Sequence, residues 1–201
     1  MNRQPQSKTT LRDIRLVPVS PNHYAELYRW STDSTSAFRW RFGGATPSPE
    51  RFSEALWAGV LCQYMVADSG GTSHGLVVCY SADHVNGHAY YGVQGNPDRP
   101  TGMGASIGMV KLLDHVFRSW PFRKLYAELP EYNAAEFSSG LRRHAQCEGT
   151  LRDHVYFDGR FWDQSTYSLS REDWEQHARP RFAALLDATS NTDDRLQVAG
   201  S

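Results

Sequence analysis

The chain has 201 residues, 40% of them hydrophobic and 12% aromatic, enough to build one domain around a sizeable core without metal or disulfide staples. Lysine and arginine number 21 against 22 aspartate and glutamate, a formal net charge of -1, which offers no general attraction for nucleic acid or an anionic membrane. Three cysteines, Cys62, Cys79 and Cys147, are odd in number and far apart in sequence; they read as buried or free thiols in a reducing compartment and exclude a disulfide framework.

No apolar run is long enough to span a bilayer. The first residues, Met1-Asn2-Arg3-Gln4-Pro5-Gln6-Ser7-Lys8, carry no apolar stretch after their charges and so do not read as a secretory signal. Residues 1–10 and 190–201 read as disordered tails, 11–174 as one domain and 175–189 as a C-terminal helix. The default expectation is a cytoplasmic protein. Few lysines beside abundant arginine, tryptophan and histidine point to a high-GC bacterial source.

In chain order, Arg12 to Val19 carries Ile14, Leu16 and Val17 and predicts a first strand. Ser20-Pro21 supplies an N-cap and a first-turn proline for a helix with Tyr24, Leu27 and Tyr28 on one side. Ser48-Pro49-Glu50 opens a second helix, with Phe52, Leu56 and Val60 (or Ala55) as its core stripe. The period then changes. Gln63 to Ala67 predicts a strand, Asp68-Ser69-Gly70-Gly71 a turn, and His74 to Ser81 a partner strand carrying Leu76, Val77, Val78 and Tyr80. Asn86-Gly87 signals a hairpin in which both turn residues tolerate positive φ, and His88 to Gln94 completes an antiparallel meander. Met103, Ile107, Val110, Leu113 or Asp114, and Phe117 recur at helical spacing, so a long helix packs one face on the sheet. Lys124 to Leu129 predicts a strand and Asn133 to about His144 a helix. Two last strands flank Asp158-Gly159, the second running to about Leu169, and helical pattern resumes from Arg171 to about Leu186. The order β-α-α-β-β-β-α-β-α-β-β implies an α+β fold, a mixed sheet with helices on both faces.

The most informative stretch runs from Gln94 to Ser106, between a strand and the start of a helix. A helix N-terminus presents unpaired N–H groups and the positive end of its dipole, which suits a phosphate. Gly102 and Gly104 let the backbone approach an anion and Arg99 adds a charged contact. It is not a dinucleotide fingerprint: a third glycine falls at Gly108, but the unit follows an antiparallel meander. It also lacks the Gly-Lys-Ser/Thr ending of a nucleoside triphosphate loop. On its own it is equally an ordinary strand-to-helix turn.

In this setting Arg99-x-x-Gly102-x-Gly104 resembles the acyl-CoA signature Arg/Gln-x-x-Gly-x-Gly/Ala of the GNAT superfamily of acetyl-CoA-dependent N-acetyltransferases. Leu125-Tyr126-Ala127-Glu128-Leu129 followed by Asn133-Ala134-Ala135-Glu136 is similar to that superfamily's fifth strand and the asparagine opening its next helix. Glu148-Gly149-Thr150-Leu151-Arg152-Asp153, Asp158-Gly159-Arg160-Phe161-Trp162-Asp163, Tyr167-Ser168-Leu169 and Glu172-Asp173-Trp174 resemble its ribosomal-protein N-acetyltransferase branch. The resemblance runs from about Arg12 to Trp174.

It implies a mostly antiparallel central sheet splayed between the fourth and fifth strands, with acetyl-CoA or another acyl-CoA as co-substrate in the gap and no metal. Backbone groups around Tyr91, Val93 and Gln94 would pair with the pantetheine, amides from Arg99 through Thr101, Gly102, Met103 and Gly104 to Ala105 would hold the pyrophosphate, and Asn133 would contact the lower pantetheine. The implied reaction is direct attack of an amine on the thioester. Many relatives place a tyrosine acid seven residues after the asparagine; here Gly140 stands there, with Ser138 and Ser139 as the nearby hydroxyls. His88 and Glu128, on the strands flanking the gap, are the candidate bases, with His84 in the preceding turn. Trp40 and Glu131, with Tyr132, would line the acceptor side. Homodimers are common in the family.

Other patterns carry less. His144-x-x-Cys147 has a spacing a metal could use, but no second pair lies near it. No Gly-x-Ser-x-Gly elbow of a serine hydrolase is present. Trp30, Phe38, Trp40 and Phe42 with Arg39 and Arg41 could stack on nucleic acid or sugar, but are read instead as a loop packed over the core. The expected activity is N-acylation of a primary amine on a small molecule, an amino sugar or a peptide N-terminus. Gly140 keeps open a changed chemistry (a longer acyl donor, O-acylation or thioester decarboxylation), and a non-catalytic CoA-binding domain is the third reading.

Overall fold

The computed structural model describes residues 13–33, 37–39, 42–99, 103–134 and 139–187. Both expected tails lie outside these residues. Among the described residues seven strands form one sheet in the order β1-β2-β3-β4-β5-β7-β6. They are β1 (Arg15–Pro18), β2 (Val60–Ala67), β3 (Ser73–Asp83), β4 (His88–Gly95), β5 (Lys124–Pro130), β6 (Gln146–Phe157) and β7 (Arg160–Ser170). The helices are α1 (Tyr24–Thr32), α2 (Pro49–Trp57), α3 (Gly104–Ser119), a short α4 (Ser139–Arg142) and a C-terminal run from Arg171. Strands and helices follow one another in the order read from the sequence, and the fold is the mixed α+β arrangement expected. Neighbouring strands are antiparallel except β4 and β5, which are parallel and joined by α3 as the crossover. No helix among the described residues is long and apolar enough to cross a membrane.

Helices cover both faces of the sheet, so β3 reads as a continuous buried run from Gly75 to Cys79. Leu76 faces one way, into a cluster with Leu27 and Trp30 of α1, Phe52 and Leu56 of α2, and Met65 of β2. Val77 and Cys79 face the other way, into the main core with Ile107, Val110, Leu113 and Phe117 of α3. The helix stripes read from spacing are therefore largely the buried faces, with two exceptions. Val60 belongs not to α2, which ends at Trp57, but to β2, which it opens after Gly59 turns the chain at a positive φ of 67°; Met103 stands before the first turn of α3 and is 58% exposed. The aromatic loop cluster divides. Trp30 and Phe42 pack on Phe52, whereas Phe38 stacks on Phe157 at 3.7 Å. Trp40 and Arg41 lie outside the described residues.

Local chemistry explains where the elements differ from expectation. Ser20 introduces a short 3-10 turn, Pro21–His23, before α1 begins, and Ser48 caps α2 by accepting from the Arg51 N–H. At Asn86-Gly87 only Gly87 has positive φ (69°); the Asp83 carboxylate accepts from the Val85 and Asn86 N–H groups and makes a wider turn than a two-residue hairpin. The helix expected from Asn133 starts instead as a 3-10 turn, Glu131–Asn133, set off by Pro130, and α4 ends at Arg142. The C-terminal helix contains a π turn, Trp174–Ala178, whose Arg179 N–H reaches back to the Trp174 carbonyl. Pro180 lacks the N–H needed to continue the regular ladder.

Two close contacts seat α3. The Arg171 guanidinium closes its C-terminus by donating to the carbonyls of Phe117 (2.6 Å), Trp120 (2.6 Å) and Phe122 (2.9 Å). In the first half of the helix, a Cβ on Gly108 would stand 2.2 Å from Val66 Cγ2, so the helix lies against β2 with no space for a side chain. Alanine gains about 1 kcal/mol of helix propensity over glycine, but overpacking a closed core costs about 1–3 kcal/mol. With the contact this short, Gly108→Ala should lose about 1 kcal/mol net in urea unfolding, and Val66→Ala in the same chain should recover part of the loss. A stabilised Gly108→Ala would show that α3 is free to lift from the sheet.

Candidate functional site

The parallel pairing of β4 with β5 is short. It joins His88 to Lys124, Ala89 to Leu125 and Tyr90 to Tyr126 and stops there. Both strands run on: β4 stays in register with β3 through Val93, Gln94 and Gly95, while β5 stays in register with β7 through Ala127, Glu128, Leu129 and Pro130. Each strand is thus held by the half-sheet on its outer side, and between them opens a gap with one unpaired edge of β4 along it. Backbone groups on such an edge need partners. Val93, in the middle of a strand and 41% exposed, lies in this stretch.

The start of α3 follows the open end of β4. Asn96 anchors the connection: its N–H donates to the His74 carbonyl, its side-chain amide to the Ser73 carbonyl, and its Oδ1 accepts from the Asp98 N–H. The Arg29 guanidinium of α1 grips both oxygens of Asp98, at 3.2 and 2.7 Å, which raises the arginine pKa and holds the carboxyl below its usual range. Arg99 is exposed and its N–H donates to the Asn96 carbonyl. Among the described residues no side chain caps α3. Its sixteen residues bring the positive end of a helix dipole to the mouth of the gap. Thr101 and Gly102 lie outside the described residues; Met103, Gly104 and Ala105 are the described part of the expected phosphate loop.

Gly104 has a further reason to be glycine. A Cβ there would meet the His74 side chain at 2.5–2.7 Å. His74 is pinned in turn: its Nε2 lies 3.1 Å from Asp68 Oδ2, and Asp68 Oδ1 accepts from the N–H groups of Gly70 and Thr72. The sequence reading assigned Asp68 to a turn and His74 to a strand, and missed that they support the helix start. Nothing local in sequence links positions 68, 74 and 104.

The face of β4 and β5 turned away from α3 carries His88, Tyr90 and Gln94, then Tyr126 and Glu128. Tyr80, Tyr90 and Tyr126 form a ladder of rings 5.8 and 5.5 Å apart, and His88 meets Tyr126 edge-on at 5.5 Å. Glu128 is exposed and lies beyond the last β4–β5 pair, on the open part of β5. Partial burial, then the Glu128 charge, push the Tyr90 phenol pKa up, so that hydroxyl stays neutral. His88 sits two positions before the last pair, in the closed part of the ladder, and His84 stacks on Phe122 at the far end of β4. Of the two candidate bases, then, only Glu128 stands beside the opening. Tyr90 and Tyr126, which the sequence reading does not single out, share this face with His88 and Glu128, an alternation readable in the sequence.

Glu131 is exposed at the end of β5 and borders a 250 Å³ hollow with Leu129, Arg142, Asp163 and Tyr167. Leu129 and Tyr167 share the sheet face of the buried Leu125 and Ala127, so this hollow opens opposite Glu128. Tyr132 joins Phe38, Phe157 and Trp162 in an aromatic cluster tying the loop after α1 to the β6–β7 hairpin. Ser138, the Ser139 side chain and Trp40 lie outside the described part of the structure. Tyr91 is buried in the core, leaving its backbone to face the gap.

Orphaned polar atoms test whether an amide-rich ligand fits. Asn133 Oδ1 and both side-chain polar atoms of Gln94 are buried without a hydrogen-bond partner among the described residues. Such groups cost about 1–3 kcal/mol each when unpaired, and they flank the open stretch together with the free edge of β4. That donor and acceptor set suits the amides of a pantetheine arm. Among the described residues no group of three or more His, Cys, Asp or Glu is arranged to hold a metal ion.

The role of Gly104 in packing can be measured without any ligand. Gly104→Ala should lower stability, and His74→Ala should do so by loss of the Asp68 contact. In the double variant the two losses should fall short of their sum by more than about 1 kcal/mol, as read by chemical unfolding. Strict additivity would mean that the ring and the helix do not press on each other.

Solved structures of 14% sequence identity share this fold. A chimera of the spermidine N-acetyltransferase SpeG from Vibrio cholerae and hSSAT superposes with a TM-score of 0.70, covering 82% of this chain and 99% of that chain. SpeG from Vibrio cholerae in complex with manganese ions gives 0.69, covering 84% and 99%, also at 14% identity. The Vibrio cholerae spermidine N-acetyltransferase in complex with CoA and spermine gives 0.68, covering 82% and 99%, again at 14%. The likeness is one of fold. No protein-family model matches the sequence, and no curated protein matches it.

Proposed function

We propose that the protein is an acyl-CoA-dependent N-acyltransferase of the GNAT type, with acetyl-CoA as donor and a primary amine of a small polycation, of the polyamine class, as acceptor. The observation that carries this reading is the free edge of β4, which runs on from the last β4–β5 pair toward the N-terminus of α3. An extended ligand with amides at one end and a diphosphate at the other matches that sequence of groups. The fold shared with spermidine N-acetyltransferases, one of them solved with CoA and spermine, supports both the donor and the amine class.

The donor supplies an activated thioester carbonyl. This chain supplies position and charge. The free edge around Val93 aligns the pantetheine and offers an N–H to the carbonyl oxygen, Asn133 Oδ1 takes up an amide donor, and the start of α3 neutralises diphosphate. On the opposite face the exposed Glu128 carboxylate draws an ammonium toward the Tyr90 and Tyr126 rings, whose π faces favour a cation. Glu128 then takes the amine proton, directly or through water. With Gly140 lacking a hydroxyl, Ser138, Ser139 or a water supplies the one proton for the departing sulfur. This face also favours a polycation over a peptide N-terminus, because acid and rings stand together with no partner cation described beside Glu128.

Calorimetry with acetyl-CoA, followed by thiol release with spermidine, spermine and a peptide amine, tests the reading. Binding of acetyl-CoA and turnover favouring the polyamines are expected. Glu128→Gln should lower kcat by about 10²–10⁴-fold, the range of a general base, with the KM for acetyl-CoA nearly unchanged. Failure to bind any CoA thioester would remove the donor assignment, and binding without turnover on any amine would remove the transferase.

A further inference from the structure

Cys62 and Cys79 are far apart in the chain, but the β2–β3 ladder sets them directly opposite each other. Opposed residues of antiparallel strands have Cα atoms about 4.5–5.5 Å apart, inside the window of about 4.4–6.8 Å that a disulfide requires. Both side chains point to the same face: Cys79 is buried in the main core and Cys62 packs against it. The ladder is irregular beside the pair, with a register shift between Val60 and Cys62. A bulge of this kind gives the backbone local slack to turn a sulfur toward its partner.

We propose that Cys62 and Cys79 form an oxidisable dithiol, which a hydroperoxide converts to a disulfide tethering β2 to β3. The two sulfurs differ in access, Cys62 being half-buried and Cys79 buried. They also differ in acidity. A hydrogen bond from the Cys79 thiol lowers the Cys62 pKa, while that same bond and burial push Cys79 up. Cys62 is therefore the attacking thiolate. Its sulfur cleaves the peroxide O–O bond, giving Cys62 sulfenic acid and water. The Cys79 sulfur then attacks the Cys62 sulfur, the S–S bond forms, the S–O bond breaks, and the hydroxyl leaves with the Cys79 proton as a second water. Two thiols are oxidised by two electrons and one hydrogen peroxide is reduced to two waters. Cys147 cannot take part within one chain, because it lies on β6 at the opposite end of the strand order.

The tether acts next to the donor site. β2 and β3 carry Val66 and His74, which close against Gly108 and Gly104 of α3, and Cys79 is itself opposite Tyr91, the first β4 residue beyond the last β4–β5 pair. The chemistry holds whether or not the acyltransferase assignment is correct.

The test uses the full chain with Cys147→Ser, treated with hydrogen peroxide while folded. The expected product has lost two hydrogens, shows no thiol reactive to Ellman's reagent after denaturation, and yields one linked peptide containing Cys62 and Cys79. Dithiothreitol should restore both thiols. Adding Cys62→Ser should protect Cys79 from oxidation under the same conditions. If Cys147→Ser does not fold, wild-type protein alkylated at its exposed cysteine serves in its place. Peroxide that drives Cys62 to sulfinic acid while Cys79 stays free, or that leaves both thiols intact, would overturn the proposal.

Discussion

The seating of α3 on β2 and β3 sets the geometry of everything around the gap. At Gly104 the helix start leaves room only for the His74 ring, and at Gly108 only for Val66. A helix held that closely cannot tilt to follow β4, so its N-terminus stays aimed at the mouth of the opening. The Arg171 guanidinium fixes the other end through three carbonyls. With α3 clamped at both ends, the crossover from β4 to β5 has a set span, and the two strands meet at its closed end and diverge toward its start.

Divergence leaves unfinished work in the sheet. Beyond Tyr90 and Tyr126 each strand is hydrogen-bonded on its outer side only, and the orphaned groups of Asn133 and Gln94 add to the unmet polar surface. An unpaired buried polar group costs about 1–3 kcal/mol, and the exposed Val93 adds apolar area that a ligand would cover. A fold keeps such a defect when something else completes it. An extended amide-bearing chain with an anionic end is complementary to the edge and to the helix dipole at once. The Asn96 bonds and the Arg29–Asp98 pair hold the connecting segment in the shape that brings edge and dipole together.

How much of this was legible in sequence follows from the range of each interaction. Alternation and helical spacing are local, so the elements and their buried faces could be read directly: Phe52 and Leu56 in α2, Ile107, Val110 and Phe117 in α3. The Gly-rich segment could be read as a candidate anion loop because the chemistry that suggests one sits in consecutive residues. The boundaries missed were set by proline and by side-chain competition, as at Pro130, Pro180 and Asp83. Contacts between distant segments left no trace: the support of Gly104 by His74 and Asp68, the tyrosine ladder of three strands, and the opposition of Cys62 to Cys79. The cysteines show the limit most clearly. Counting and spacing read them as unrelated thiols, and only strand register makes them a pair.

The two sides of the gap are built from different materials, and this bears on what the fold can share with distant proteins. The side proposed for the donor is mostly backbone: a free strand edge, helix N–H groups and glycines packed closely on the sheet. Backbone geometry survives wide sequence change, as the superposition at a TM-score of 0.70 and 14% identity illustrates. The side proposed for the acceptor depends on side chains, with Tyr90, Tyr126 and Glu128 on one face and the Phe38–Tyr132–Phe157 cluster beyond the end of β5. Replacing those side chains leaves the strand pairing and the helix seat untouched. On the proposed reading, a fold of this kind can hold its donor side constant while its acceptor face changes, and the choice of acceptor lies in the residues of β4, β5 and the β6–β7 hairpin rather than in the Gly-rich segment before α3.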